Sequence, residues 1–153
     1  FAYQKAPYYE KYFPFIKDLY SEKWENLSDL DIYITKFILE ELKSDTELLY
    51  DTDYNFSGEK NELLINICHE LGETFYMSNK GSENYVDIGL FNKNGIDHKY
   101  INYDGAEYKQ VYSGFETGLS VIDMLLNCGP EETRNIIMDD KYYTFSALNK
   151  KIE

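Results

Sequence analysis

The residues able to do acid, base or anion chemistry are few and scattered. Asp123 follows Ile122 and precedes Met124, Leu125 and Leu126 in an otherwise apolar run, where a carboxylate needs a hydrogen-bonding partner or a function. A structural network and a site role are both open for it. Lys60 and Glu62 flank the start of a helix expected over Asn61–Leu71, where backbone amides and the helix dipole attract anions and a lysine adds a point charge. The plain reading of Glu62 is a helix-start carboxylate. Ser78, Asn79, Lys80, Gly81 and Ser82 follow directly on a strand expected over Thr74–Met77, and open α/β sheets place their ligand crevices at such strand ends. By itself this is a weak motif, which an ordinary connecting loop also produces.

Other chemistries find less support. A catalytic metal needs convergent His, Cys or carboxylate ligands, yet His69 and His98 have no partner at ligand spacing, and no metal is expected. His69 reads as a helix-surface residue. His98, on an alternating segment, reads as a surface or edge residue, with proton carrier as the sharper alternative. Cys68 and Cys128 lack CxxC or Cys/His spacing and read as buried, reduced core thiols. No Gly-x-Ser-x-Gly is present for a hydrolase elbow. The pairs Glu40-Glu41 and Glu131-Glu132 read as solvated helix faces.

Composition narrows the partners. With 28 acidic against 15 basic residues and a formal net charge of −13, the chain repels phosphate backbones and anionic lipid. Nucleic acid and membrane surface are poor partners. Arg134 is the one arginine, so bidentate clamps on carboxylate or phosphate are scarce and an anion site must use amides or lysine. Sixteen Tyr and nine Phe make rings the main source of buried area. No apolar run approaches the roughly 20 residues that span a bilayer, and the expectation is a soluble, cytoplasmic protein. The start, Phe-Ala-Tyr-Gln-Lys, lacks an initiator Met and suggests a fragment or processed product.

These groups must be positioned by helices alternating with short strands. Tyr8–Tyr20 has helical spacing, and Pro14 is expected to kink or split it. Ser28 with Asp31 resembles a capping box before Leu30, Ile34, Phe37, Ile38 and Leu42. Glu47–Tyr50 is a strand candidate, followed by a polar loop over residues 51–60. Gly72 closes the Asn61–Leu71 helix. Asp87–Lys93 reads as a short helix ending at Gly95, and Ile96–Ile101 as a strand. Leu119–Asn127 reads as a helix stopped by Gly129-Pro130, with Pro130 opening the next through about Met138. The fold class expected is α/β and helix-rich, with a small, mostly parallel sheet covered by helices, in one domain over residues 1–153.

Longer blocks carry a resemblance. Lys5–Phe13, Leu27–Asp31, Gly58–Gly72, Thr74–Ser78 with Gly81 and Tyr85, Gly95-Ile96, Tyr108–Gln110 and Phe115–Gly129 resemble, in order, consecutive blocks of WbqC-like proteins, over roughly residues 3–135. The resemblance implies the later two-thirds of such a protein, without the family's opening His-Gln-Pro segment. Where the family typically reads Ser-Gly and further glycines, this chain has Ser78-Asn79-Lys80-Gly81-Ser82, a departure that puts the loop's ligand in doubt.

The resemblance further implies an enzyme of bacterial surface-polysaccharide or modified-sugar biosynthesis. The reaction would be aminoacyl (glycine-like) or acyl transfer to a sugar or nucleotide-sugar precursor, with a nucleotide-activated donor possible. Asp123 or Glu62 would serve as acid-base or orienting groups. Lys60 and Lys80 would bind anions, Ser78 and Gly81 would offer amides, and Asn84, Tyr85, Gln110 and Asn127 would complete a substrate site. A non-catalytic binding or assembly module, a nucleotide-binding protein and a homo-oligomer stay open beside it.

Overall fold

The computed structural model describes residues 2–146. Five α-helices are formed among them, Tyr9–Ser21 (α1), Leu27–Glu41 (α2), Lys60–Glu70 (α3), Ile88–Lys93 (α4) and Val121–Ile137 (α5), with strands Phe75–Asn79 (β1), Asp97–Tyr103 (β2) and Tyr143–Ser146 (β3). The protein is α/β and helix-rich. It divides into two compact units: residues 2–47 with Gly105–Asp140, and Leu48–Asp104 with residues 141–146. None of the described helices is long and apolar enough to cross a membrane.

The first unit is built from α1, α2 and α5 around Ala6, Tyr12, Leu125 and Leu126. Pro14 does not split α1, which runs through it without a break; the residue sits on the exposed face, where the bend a proline imposes meets little packing. The expected Ser28–Asp31 capping box is not formed. Helix α2 begins at Leu27 after Asn26, so Ser28 already lies in the first turn, and Asn26 Nδ2 instead donates to Asp29 Oδ2 at 2.9 Å. At the other end of α2, Arg134 Nη1 donates to the carbonyls of Leu42 and Lys43, satisfying helix-end acceptors with a cation that the dipole favours. Lys11 and Tyr12 of α1 both donate to Glu41 Oε2. Burial pushes the Glu41 carboxyl up, and these two hydrogen bonds and the Lys11 charge outweigh it, so its pKa is lowered.

Helix α5 bears out the Gly129-Pro130 punctuation. Gly129 interrupts helical geometry at φ 77°, ψ 175°, a left-handed conformation that glycine adopts without strain. A Cβ there would also lie 2.3 Å from the Tyr8 ring. Pro130 has no N–H for the carbonyl of Leu126, four residues earlier. Tyr8 supplies the missing donor, its N–H lying 3.0 Å from Leu126 O.

In the second unit β1 and β2 pair in parallel, Phe75 opposite Asp97 and Ser78 opposite Tyr100. Strand β3 pairs antiparallel on the other side of β2. The sheet is therefore mixed, and β2 is its central strand. The parallel pair requires a crossover, which the 3-10 turn Lys80–Asn84 and α4 provide. Val86, Phe91 and Ile96 pack there with Ile65 and Cys68 of α3 and Tyr100 of β2. Asn61 fastens α3 to this crossover, donating to Tyr85 O at 2.9 Å and accepting from the Asp87 N–H at 3.0 Å.

Two expectations are corrected here. Glu47–Tyr50 forms no strand and runs as irregular chain into a 3-10 turn at Asp51–Asp53. His98 is not a surface or edge residue: it is 1% exposed, because the alternation along β2 turns His98 and Tyr100 inward with Ile96 while Asp97 and Lys99 face out. The period was right and the face was the buried one.

Candidate functional site

The first unit gathers Asp123, Gln110 and Asn127, three of the residues named from the sequence. Ser120 caps α5, its Oγ accepting the Ile122 N–H at 3.2 Å, which places Asp123 in the first turn of the helix, where the dipole favours an anion. Asp123 is 5% exposed. Tyr108 donates its hydroxyl to Asp123 Oδ2 at 2.6 Å, and Gln110 Nε2 reaches the same oxygen at 3.3 Å. Gln110 is itself held by Glu116, donating to its carbonyl at 3.0 Å and accepting its N–H at 2.9 Å. Asn127, one turn along α5, donates from Nδ2 to Asp123 Oδ1 at 3.1 Å and to the Asp123 carbonyl at 2.8 Å.

Two phenols complete the surroundings of this carboxylate. Burial, then hydrogen bonding to Asp123, pushes the Tyr108 hydroxyl up to about 12, and the same causes push Tyr3 up to about 12. Both stay protonated at neutral pH and serve as donors. Among the described residues no Lys, Arg or His forms an ion pair with Asp123, so its charge is solvated by neutral groups alone. Beside it opens a cavity of about 200 Å³ whose wall includes Tyr3, Gln110, Tyr112, Leu119, Asp123 and Asn127.

The second unit holds the other named residues. Ser78 Oγ lies 2.9 Å from His98 Nε2 and 2.6 Å from Ser82 Oγ, and Ser82 donates to the Asn79 carbonyl at 2.8 Å. The proton positions follow from the partners. A carbonyl only accepts, so the Ser82 proton points at Asn79 O, the Ser78 proton must point at Ser82, and His98 must donate from Nε2 to Ser78. The chain of donation runs away from the imidazole. His98 therefore does not act as a base toward Ser78 in this arrangement, and its buried Nδ1 has no hydrogen-bond partner. Burial holds His98 below its usual pKa, with neighbouring Asp97 opposing.

Strand β1 extends to Asn79, two residues beyond the expected end, so Ser78 and Asn79 belong to the sheet and the turn begins at Lys80. Lys80, Gly81, Asn84 and Tyr85 are exposed on that turn. Gly81 lies outside the left-handed region, and a Cβ on it would approach only the Asn79 side chain, at 3.2 Å. Lys60 opens α3 at φ 53°, and Lys60 and Glu62 are both exposed. No hydrogen bond or ion pair joins either of them to the Ser78 turn among the described residues. The polar loop before α3 lines a separate groove of about 300 Å³ with Asn66, His69 and Glu70. His69 is exposed as expected and sits 2.9 Å from Asn94 O, so its Nε2 carries the proton.

Sequence reasoning missed Tyr3 and Tyr108 as partners of Asp123. Sixteen tyrosines hide the two whose hydroxyls matter. The only signal was the nearness of Tyr108 to Gln110 within one block.

Residues 1–135 match the WbqC-like protein family, and the chain belongs to it. It is also 32% identical over 133 residues to Rv1507c of Mycobacterium tuberculosis, described as an uncharacterized protein, covering 86% of this chain and 58% of that relative. The chain thus spans under two-thirds of that relative's length. No solved structure matches it.

Proposed function

We propose that this WbqC-like protein is part of a cytoplasmic enzyme that transfers an acyl or aminoacyl group to a sugar precursor in bacterial surface-polysaccharide or modified-sugar biosynthesis. The observation that carries the reading is Asp123, a buried carboxylate held by neutral donors on the wall of a cavity. In acyl transfer an acceptor amine or hydroxyl attacks the activated carbonyl carbon, the bond to the leaving group breaks, and a proton leaves the acceptor. A fixed carboxylate orients that acceptor and takes its proton. Hydrogen bonds from Tyr108 and Asn127 lock the carboxylate's rotamer, so little reorganisation accompanies the step.

A second reading is a binding or assembly module without transfer. It is favoured by rings left outside in the first two helices, with Phe13 41%, Tyr33 45% and Tyr20 88% exposed. Incubation of the chain with a panel of acyl donors and nucleotide sugars separates the two. A mass-shifted sugar that disappears in Asp123→Asn supports transfer, whereas no product across the panel, with a stable dimer by light scattering, supports assembly.

A further inference from the structure

The groove in the second unit, between the polar loop and α3, has no part in the reaction proposed above. Helix periodicity sets Asn66, His69 and Glu70 side by side on α3, at i, i+3 and i+4. Asn55, Phe56 and Ser57 form the other wall. The two walls are fastened together. Asn66 Nδ2 donates to Ser57 O at 3.0 Å, and Gly58 lies so close to the helix that a Cβ on it would meet Glu62 Cγ at 2.9 Å and the Leu63 nitrogen at 3.1 Å. Its φ of 93° also favours glycine. Phe56 is braced by Tyr54, the ring centroids 4.8 Å apart and the planes within 12° of parallel, and it borders the groove.

These walls carry donors and acceptors in alternation. The bond to Ser57 Oγ is a long one from Asn66 Nδ2, at 3.5 Å, which leaves the hydroxyl proton free to donate, and the Asn55 amide adds two N–H donors. His69 Nε2 carries its proton toward Asn94 O at 2.9 Å, so Nδ1 of the neutral ring is an acceptor. Glu70 adds two acceptor oxygens and forms no ion pair among the described residues. No Lys or Arg lies in the walls, so nothing there matches an anion. Glu70 is exposed, and water and salt screen its charge, so it acts as a hydrogen-bond acceptor more than as a trap for cations. Among the described residues no three His, Cys, Asp or Glu converge to hold a metal ion.

We infer that this groove binds the pyranose ring of a neutral sugar. Each hydroxyl of such a ring both donates and accepts, as the walls require, and its C–H face carries the slight positive charge that an aromatic face attracts, here offered by Phe56. At about 300 Å³ the space equals roughly ten waters' share of the liquid, which holds one hexose and excludes a whole nucleotide sugar. The inference stands apart from the Asp123 reading and gives the chain a sugar contact of its own in the second unit.

The test follows the amide nitrogen–proton spectrum of the full chain during titration with methyl glucoside, methyl galactoside, methyl mannoside, glucosamine and glucose 1-phosphate. At least one neutral glycoside is expected to shift the Asn55 and Asn66 side-chain amides and the His69 backbone amide, saturating with a Kd on the order of 1 mM, as so small a ligand in an open groove allows. Glucose 1-phosphate should bind about threefold or more weakly. Glu70→Ala should weaken glycoside binding about tenfold, and Phe56→Leu about fivefold. Should Phe56→Leu fail to fold by circular dichroism, Glu70→Ala, at an exposed position, carries the comparison. Asp123→Asn should leave these shifts unchanged; their loss in that variant would assign the sugar to the first unit and overturn the inference. So would the absence of saturable shifts at Asn55, Asn66 and His69 up to about 50 mM, unchanged affinity in Glu70→Ala, or tenfold tighter binding of glucosamine or glucose 1-phosphate than of every neutral glycoside.

Discussion

Each unit buries one polar cluster, and the two differ in where their hydrogen bonds end. Around Ser78 the donors and acceptors run in a chain from His98 through Ser78 and Ser82 to the Asn79 carbonyl, and every hydroxyl proton is committed to another protein atom, with His98 Nδ1 left without a partner. Around Asp123 the donors converge on one charge, and the residue lies on the wall of a cavity. A serine near a histidine looks more like an active site than an aspartate among tyrosines does. The direction of donation reverses that impression: the first cluster ties β1 to β2 and its following turn, and the second retains capacity for a ligand.

The contrast is broken most severely by altering the scaffold of the second cluster. Gly129→Ala places a methyl against the Tyr8 ring and a side chain in a left-handed conformation, and it should cost about 3–4 kcal/mol of unfolding free energy in denaturant titration. Asp123→Ala strands the donors of Tyr108, Gln110 and Asn127 and should cost about 3 kcal/mol, while abolishing ligand binding. A value near zero would mean that these groups find other partners.

The first cluster should respond to pH. His98 is held below its unfolded pKa, so the folded state binds the proton less readily than the unfolded one. Its stability is fully present above about pH 6.5 and is lost as pH falls below that value, by at most about 1.4 kcal/mol per pH unit. His98→Phe should remove this slope between about pH 7.5 and pH 5; an unchanged slope would assign it to other groups. Ser78→Ala, the mildest change, should cost about 1 kcal/mol and lower transfer far less than Asp123→Asn. Complete loss of activity in folded Ser78→Ala would invert the comparison.

The legible parts of this fold were those that depend on local chemistry. Gly129-Pro130 forces a break whatever surrounds it, and Gly72 and Gly95 end helices at positive φ as their positions require. Asp123 announced itself because a carboxylate in an apolar run conflicts with burial. What failed depended on distant partners. The buried face of β2 is set by α3 and α4 packing against it and its central position by β1 and β3, none of which local alternation reveals, so His98 was placed outside. Glu47–Tyr50 has strand-forming residues but no neighbour to pair with. Tyr3 and Tyr108 meet Asp123 from 120 and 15 positions away, and a tyrosine that donates reads the same as one that packs.

The central claim is that the Asp123 cluster accepts a ligand while the hydroxyls of the Ser78 cluster are committed to protein partners. The most direct measurement is an amide nitrogen–proton correlation spectrum of the chain during titration with a candidate acceptor sugar. The account predicts shifts in the side-chain amides of Asn127 and Gln110 and in the backbone around Asp123, with Ser78, Ser82 and His98 unmoved. Shifts centred on Ser78 and His98, with Asn127 and Gln110 unmoved, would contradict it.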